Sequence, residues 1–354
     1  MPDLSRRTFL FSAIPLVAAA QDDATKFSTD VKVVNVLATV HDKKGQTVRN
    51  LTKDDFSIEE DTRPQTIRYF SQESDLPLTL GLLVDTSMSQ RNVLGKERDA
   101  SYKFFDQVLR PDKDKGFVIH FDHDVELLKD LTSSKKDLDS ALAELETPQM
   151  ERRDQGGGNS GGGRYPGGGG RGGGRRGAGT LLYDAVLLGS DDIMKKQEGR
   201  KAIILLTDGV DRGSKTPLPG AIEAALRSNT LVYSILFADN ENRGFGGGPG
   251  MGGGHHGGYG GNRRFPQEQR PDGKKILEQI SKETGGGFFE VSKKQPIDLI
   301  FDRIQEELRS EYSLGYTPDK AEAGYHKIMV TVKQKGLIVQ AREGYYAEIA
   351  KQGA

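Results

Sequence analysis

Four short stretches of this chain are apolar almost without interruption: Leu78 to Val84 (LTLGLLV), Gly116 to Phe121 (GFVIHF), Ala202 to Leu206 (AIILL) and Leu231 to Phe237 (LVYSILF). A strand with one wet face alternates apolar and polar residues, so continuous runs of this length mark strands buried on both faces. Between them lie stretches of helical periodicity at Lys96 to Leu109, Leu138 to Leu145, Leu181 to Lys195 and Gly220 to Ser228. Ile276 to Thr284, a short strand Phe288 to Val291, and Ile297 to Leu308 continue the alternation. Strand alternating with helix predicts an α/β fold, a doubly wound, mostly parallel sheet with helices on both faces. Val125 to Leu131 is expected to pair with Gly116 to Phe121.

The ends of the chain have a different texture. Val31 to Val40, Phe56 to Glu60 and Thr66 to Phe70 read as short strands before the α/β unit; Tyr312 to Tyr316, Lys327 to Val332 and Leu337 to Ala341 read so after it. An inserted unit has its ends close together. Residues 21–75 and 311–354 are therefore expected to pack as one small β-sandwich-like domain, with 76–310 forming the α/β domain.

Glycine, at 45 of 354 residues, looks excessive until it is located. Fifteen glycines fall in 156–179 and twelve in 244–261, leaving eighteen for the rest of the chain. Such runs have little to bury and are expected to be mobile loops. The first leads directly into Thr180 and the second follows the strand 231–237, so both are expected to emerge at one edge of the sheet.

Ser5-Arg6-Arg7-Thr8-Phe9-Leu10 precedes an apolar stretch that ends at Ala18-Ala19-Ala20. About twelve residues are too few to span a bilayer. The pattern resembles a twin-arginine signal peptide with cleavage before Gln21, and implies an exported, periplasmic or secreted product without a membrane span in the mature chain. The absence of cysteine excludes disulfides, thiolate metal sites and a thiol nucleophile. A formal charge of −1 argues against nucleic acid as a partner, despite Arg164, Arg171, Arg175 and Arg176 in the first glycine segment.

In open α/β sheets, sites lie beyond the carboxyl ends of the strands. The first apolar strand ends in Asp85-Thr86-Ser87-Met88-Ser89, and the strand 202–206 ends in Thr207-Asp208-Gly209. Thr180 opens the intervening helix. Asp85, Ser87, Ser89, Thr180 and Asp208 together offer two carboxylates and three hydroxyls. These hard oxygen donors suit Mg²⁺, or alternatively Ca²⁺ or Mn²⁺, and argue against Zn²⁺ or copper. No nucleophile–base pair accompanies them; His120 and His123, near a neighbouring strand end, are expected to serve a surface or supporting role.

This D-x-S-x-S, T and TDG set, in that order along an α/β unit, resembles the metal-ion-dependent adhesion site (MIDAS) of the von Willebrand factor type A domain. The flanks, Asn50-Leu51-Thr52-Lys53-Asp54-Asp55-Phe56 with Glu59-Glu60-Asp61 and the closing Ala341-Arg342-Glu343-Gly344-Tyr345-Tyr346, resemble a bacterial family related to it. The resemblance implies direct metal binding by Ser87 and Ser89. It implies binding through water by Asp85 and Asp208, with Thr180 able to join. It further implies a non-enzymatic adhesion module that recognises an acidic group on a protein or matrix partner. The alternatives are an envelope scaffold or assembly subunit with a purely structural metal, and a metal-dependent hydrolase.

Overall fold

In a computed structural model of the chain, residues 33–72, 76–146, 179–237, 272–320 and 322–347 are described. The export segment, both glycine segments apart from Gly179, and the pair His255-His256 lie outside them. All described residues belong to one compact unit, Val33–Ala354.

The apolar runs form the centre of a six-stranded sheet. Its members are β5 (Leu78–Asp85), β6 (Lys115–Phe121), β7 (Val125–Thr132), β8 (Arg200–Thr207), β9 (Leu231–Leu236) and β10 (Phe288–Glu290). The order is β10-β9-β8-β5-β6-β7, parallel throughout except for β7, which pairs antiparallel with β6 at the edge. Every residue of β5, β8 and β9 is buried, as expected of strands covered on both faces.

The pleat splits the core in two. Leu80, Leu82 and Val84 of β5 point into one layer with α1 (Leu94–Val108), α2 (Lys135–Ala143) and α6 (Ile297–Leu308). Leu83, Phe117, Ile203 and Leu205 point into the other with α3 (Leu182–Leu187), α4 (Leu218–Arg227) and α5 (Gly273–Thr284). Gly81 belongs to the second face and has no side chain because Phe117, its register partner on β6, lies over it; a Cβ there would fall 2.3 Å from the Phe117 ring.

The helical stretch expected from Leu181 to Lys195 is regular only to Leu187. It widens into a π-turn at Leu188–Ile193 and tightens at Met194–Lys196. Helix α5 stops where Gly285 takes a left-handed φ of 88°, a conformation a Cβ disfavours.

Strands from both chain ends share two further sheets. One has the order β13-β1-β11-β4, from Ile338–Ala341, Val34–His41, Tyr312–Tyr316 and Ile67–Gln72. The other has the order β14-β12-β2-β3, from Gly344–Ala347, Gly324–Val332, Phe56–Glu60 and Arg63–Gln65. A common core of Val36, Ala38, Phe56, Ile58, Tyr312, Leu314 and Ile328 lies between them. Among the described residues no helix is long and apolar enough to cross a membrane.

Candidate metal centre

The carboxyl ends of β5 and β8 lie side by side, because the strands run parallel and in register from Leu78 opposite Arg200 to Val84 opposite Leu206. Asp85, the last residue of β5, is wholly buried. One of its oxygens accepts the Ser87 backbone N–H at 3.0 Å and the other accepts the Thr207 hydroxyl at 2.6 Å. The first bond curls the loop over the strand end; the second ties that loop to β8. Ser87 and Ser89 follow with their hydroxyl oxygens 2.8 Å apart. Ser87 is buried and Ser89 exposed, so the pair leads from the sheet edge to solvent.

Asp208 is positioned by its own turn, with Oδ1 accepting the Val210 N–H at 3.0 Å. The next residue must be glycine. Gly209 has φ 78°, and a Cβ there would meet the Gly273 carbonyl oxygen at 2.4 Å, so the loop packs backbone to backbone against the start of α5. The Gly209 N–H donates to the Thr207 hydroxyl oxygen at 3.1 Å, which leaves that hydroxyl's proton for Asp85.

Thr180 reaches the same edge through its backbone. Its carbonyl accepts the Arg212 N–H at 3.0 Å, and the next residue, Leu181, donates to the Asp122 carbonyl beyond β6 at 2.8 Å. Asp211 and Ser214 stabilise a local turn and cap α3: the Ser214 hydroxyl accepts the Tyr183 and Asp184 N–H groups, both at 3.1 Å. His120 is held between the Thr86 hydroxyl and Glu126, each at 3.2 Å. His123 pairs with Asp122 at 3.0 Å. The Thr86 hydroxyl that faces His120 is itself buried, 1% exposed.

Burial pushes the Asp85 carboxyl up to about 6, and the neighbouring charge of Asp208 adds to the rise against the hydrogen bonds from Ser87 and Thr207. A residue outside the sequence motif deepens this pattern. Glu97 of α1 is wholly buried, and neither carboxylate oxygen has a hydrogen-bond partner. Burial raises its pKa well above the ordinary value, and the charge of Asp85 raises it further. The Gln90 side-chain oxygen is likewise buried and unpartnered. The signal for Glu97 was present in the sequence: it occupies a core position of the helix stripe Leu94, Glu97, Ser101, Phe104, Val108, where a charge is out of place. Among the described residues no lysine or arginine forms an ion pair with Asp85, Glu97 or Asp208. Carboxylates gathered at one edge, with neutral hydroxyls and no basic partner, form a donor set suited to a hard divalent cation.

No family model matches the chain, and no curated protein matches it. Among solved structures it is similar to proximal thread matrix protein 1 from the mussel byssus, a structure with a zinc-occupied MIDAS motif. The identity is 15%, covering 71% of this chain and 50% of that one, with a TM-score of 0.44. A von Willebrand factor type A structure from Catenulispora acidiphila is 11% identical over 91% of this chain and 76% of that one, TM-score 0.45. The vWF domain of the type V pili tip protein Mfa5 from Porphyromonas gingivalis is 11% identical over 65% of this chain and 94% of that one, TM-score 0.40. The chain thus spans half the length of the mussel protein. The six-stranded, mostly parallel sheet between two helical layers is the arrangement expected from the type A resemblance, and the fold assignment rests on that strand order.

Proposed function

We propose that the chain is an exported, divalent-metal-dependent binding module whose sheet edge captures an acidic group on a protein or matrix partner. The observation that carries this reading is the buried Asp85, hydrogen-bonded to Thr207 of the adjacent strand and leading through Ser87 to an exposed Ser89. In this reading Ser87, Ser89 and Thr180 hold Mg²⁺ through their hydroxyls, while Asp85 and Asp208 act through water. When bound, the cation supplies a coordination position facing solvent that a partner's carboxylate can fill. The protein's part is to orient the donors. Asp85 is fixed by two hydrogen bonds, and Ser87 and Ser89 are spaced by one loop. Asp208 is aimed by the turn that Gly209 permits. The twin-arginine-like segment supports export, and the burial of Thr86, the edge hydroxyl that faces His120, supports binding over catalysis.

The test is a thermal melt of the full chain and of Asp85→Ala with and without Mg²⁺, Mn²⁺, Ca²⁺ and Zn²⁺, paired with capture of envelope proteins with and without EDTA. The native chain should gain stability with Mg²⁺ and the variant should not. An unchanged Mg²⁺ shift in the variant would refute the site. Capture indifferent to EDTA would refute metal-dependent recognition and point to a scaffold with a structural metal.

A further inference from the structure

A second group of metal-ligating side chains lies on the β14-β12-β2-β3 sheet and shares no residue with the edge of the large sheet. Strand β2 ends in Glu60, the turn after it opens with Asp61, and β12 carries His326. One donor atom from each lies within 4.8 Å of the others. Each side chain is held by its far atom, so that its near atom is left for a common point.

His326 sets its Nε2 3.0 Å from the Glu322 carbonyl oxygen, which accepts the Nε2 proton, and turns Nδ1 toward the two carboxylates. Asp61 spends Oδ1 on the Lys327 backbone N–H at 3.0 Å and places Oδ2 2.8 Å from His326 Nδ1. Glu60, only 5% exposed, accepts the Tyr316 and Tyr345 hydroxyls on Oε2. Its Oε1 faces Nδ1 at 3.6 Å, beyond hydrogen-bond range. That leaves one oxygen of a buried glutamate facing the imidazole at ion-pair distance. A histidine that donates its remote N–H to a carbonyl, and a carboxylate whose remote oxygen takes donors, are the supports that orient metal ligands. The same residues border a cleft of about 60 Å³, together with Asp319 and Glu322 and the basic side chains Arg63 and Lys320.

We propose that Glu60, Asp61 and His326 form a second divalent-cation site, specific for a transition ion of the zinc type. One imidazole with two carboxylates is a donor set for Zn²⁺ rather than Mg²⁺. Three protein ligands beside an open cleft leave a position for water. The cation takes the place of the proton shared by Nδ1 and Asp61, and that proton leaves to solvent. Such a site joins a hairpin near the start of the chain to a strand 265 residues later. In a chain without cysteine no disulfide can make that link.

The experiment is equilibrium dialysis of the metal-stripped full chain against Zn²⁺, with His326→Ala, Asp61→Asn and Asp85→Ala compared in parallel. Asp61→Asn retains an oxygen for the Lys327 bond and so reports even where His326→Ala folds poorly. Zinc bound per chain should fall by one in His326→Ala and in Asp61→Asn, or its affinity should drop at least tenfold. Asp85→Ala should leave this class of zinc in place. Equal zinc counts and affinities in the native chain and Asp61→Asn would overturn the proposal. So would loss of the same zinc in Asp85→Ala.

Discussion

Replacing Asp85 by asparagine should strengthen the metal-free fold while abolishing its response to metal. The carboxyl is wholly inaccessible and its pKa rises from 3.8 to about 6. A folded-state pKa above the unfolded one means that the folded chain holds a proton the unfolded chain has lost. Stability therefore falls as pH rises from 3.8 through about 6 and stays level above. The interval is about two pH units, which at ~1.4 kcal/mol each makes the ionised carboxylate unfavourable by about 3 kcal/mol above pH 6. Asparagine carries no charge to bury. Its oxygen keeps the Ser87 N–H, and its amide can donate to the Thr207 hydroxyl once that hydroxyl turns. Allowing ~1 kcal/mol for a poorer hydrogen bond, a gain of about 1–2 kcal/mol remains, or roughly 1–3 °C in Tm for a unit of this size. The assay is a melt at pH 7.5 in EDTA and again in Mg²⁺. Asp85→Asn should melt higher than the native chain in EDTA and show no Mg²⁺ shift. In the native chain the Mg²⁺ shift should shrink as pH drops below about 6. A variant that melts lower in EDTA, or that keeps the Mg²⁺ shift, would refute the account of Asp85 as a strained carboxylate awaiting a cation.

Gly81→Ala sets a Cβ 2.3 Å from a fully buried Phe117 ring and should destabilise the sheet by about 1–3 kcal/mol, read as a lower Tm at unchanged Mg²⁺ affinity. Gly209→Ala should lower Tm and also weaken the Mg²⁺ shift, because its Cβ would push the Asp208 turn off the Gly273 backbone. Glu311 is fully buried, and burial raises its pKa to about 8 although Arg200 lies 4.0 Å away. The folded pKa exceeds the unfolded one, so native stability should fall between about pH 4.5 and 8. Glu311→Gln should flatten that slope in melts across the same range.

The fold was legible wherever the apolar pattern had one physical meaning. Helix α6 and strand β11 begin and end at the residues their periodicity implies, because their buried faces run uninterrupted to both ends. Legibility failed where packing overrode local pattern. The periodicity of Leu181 to Lys195 is helical throughout. Yet Gly189 sits where a Cβ would lie 3.3 Å from Ile203, and the chain widens there into a π-turn that no periodicity records. Strand β14 holds only four residues and gains its identity from pairing with β12. At the sheet edge, Asp85, Ser87, Ser89 and Asp208 were readable because strand ends fix their place. Their supports were readable only in part. Thr207 reads as a strand residue and shows its role only through its bond to Asp85. Glu97 stands in a different element, twelve positions beyond Asp85, and only the packing of α1 against the sheet brings the two charges within range.

Glu97 also bears on what the edge can attract. Counting Asp85 and Asp208 as ionised beside a divalent cation, the centre is neutral, and a partner's carboxylate meets a metal whose charge is not overcompensated. An ionised Glu97 would add one negative charge in the low-dielectric layer beneath the sheet edge and oppose that approach. Burial, with Asp85 beside it, instead raises the Glu97 pKa well above the carboxylate range and so favours its neutral form. Glu97→Gln keeps the shape and removes the option of ionising. It should leave Mg²⁺-dependent capture of an acidic partner unchanged at pH 6. Capture by the native chain should weaken relative to the variant as pH rises and Glu97 begins to ionise, measured by metal-dependent pull-down from pH 6 to 9. Loss of capture by Glu97→Gln at pH 6 would mean that the Glu97 carboxylate itself takes part in holding the metal or the partner, and the charge argument would fail.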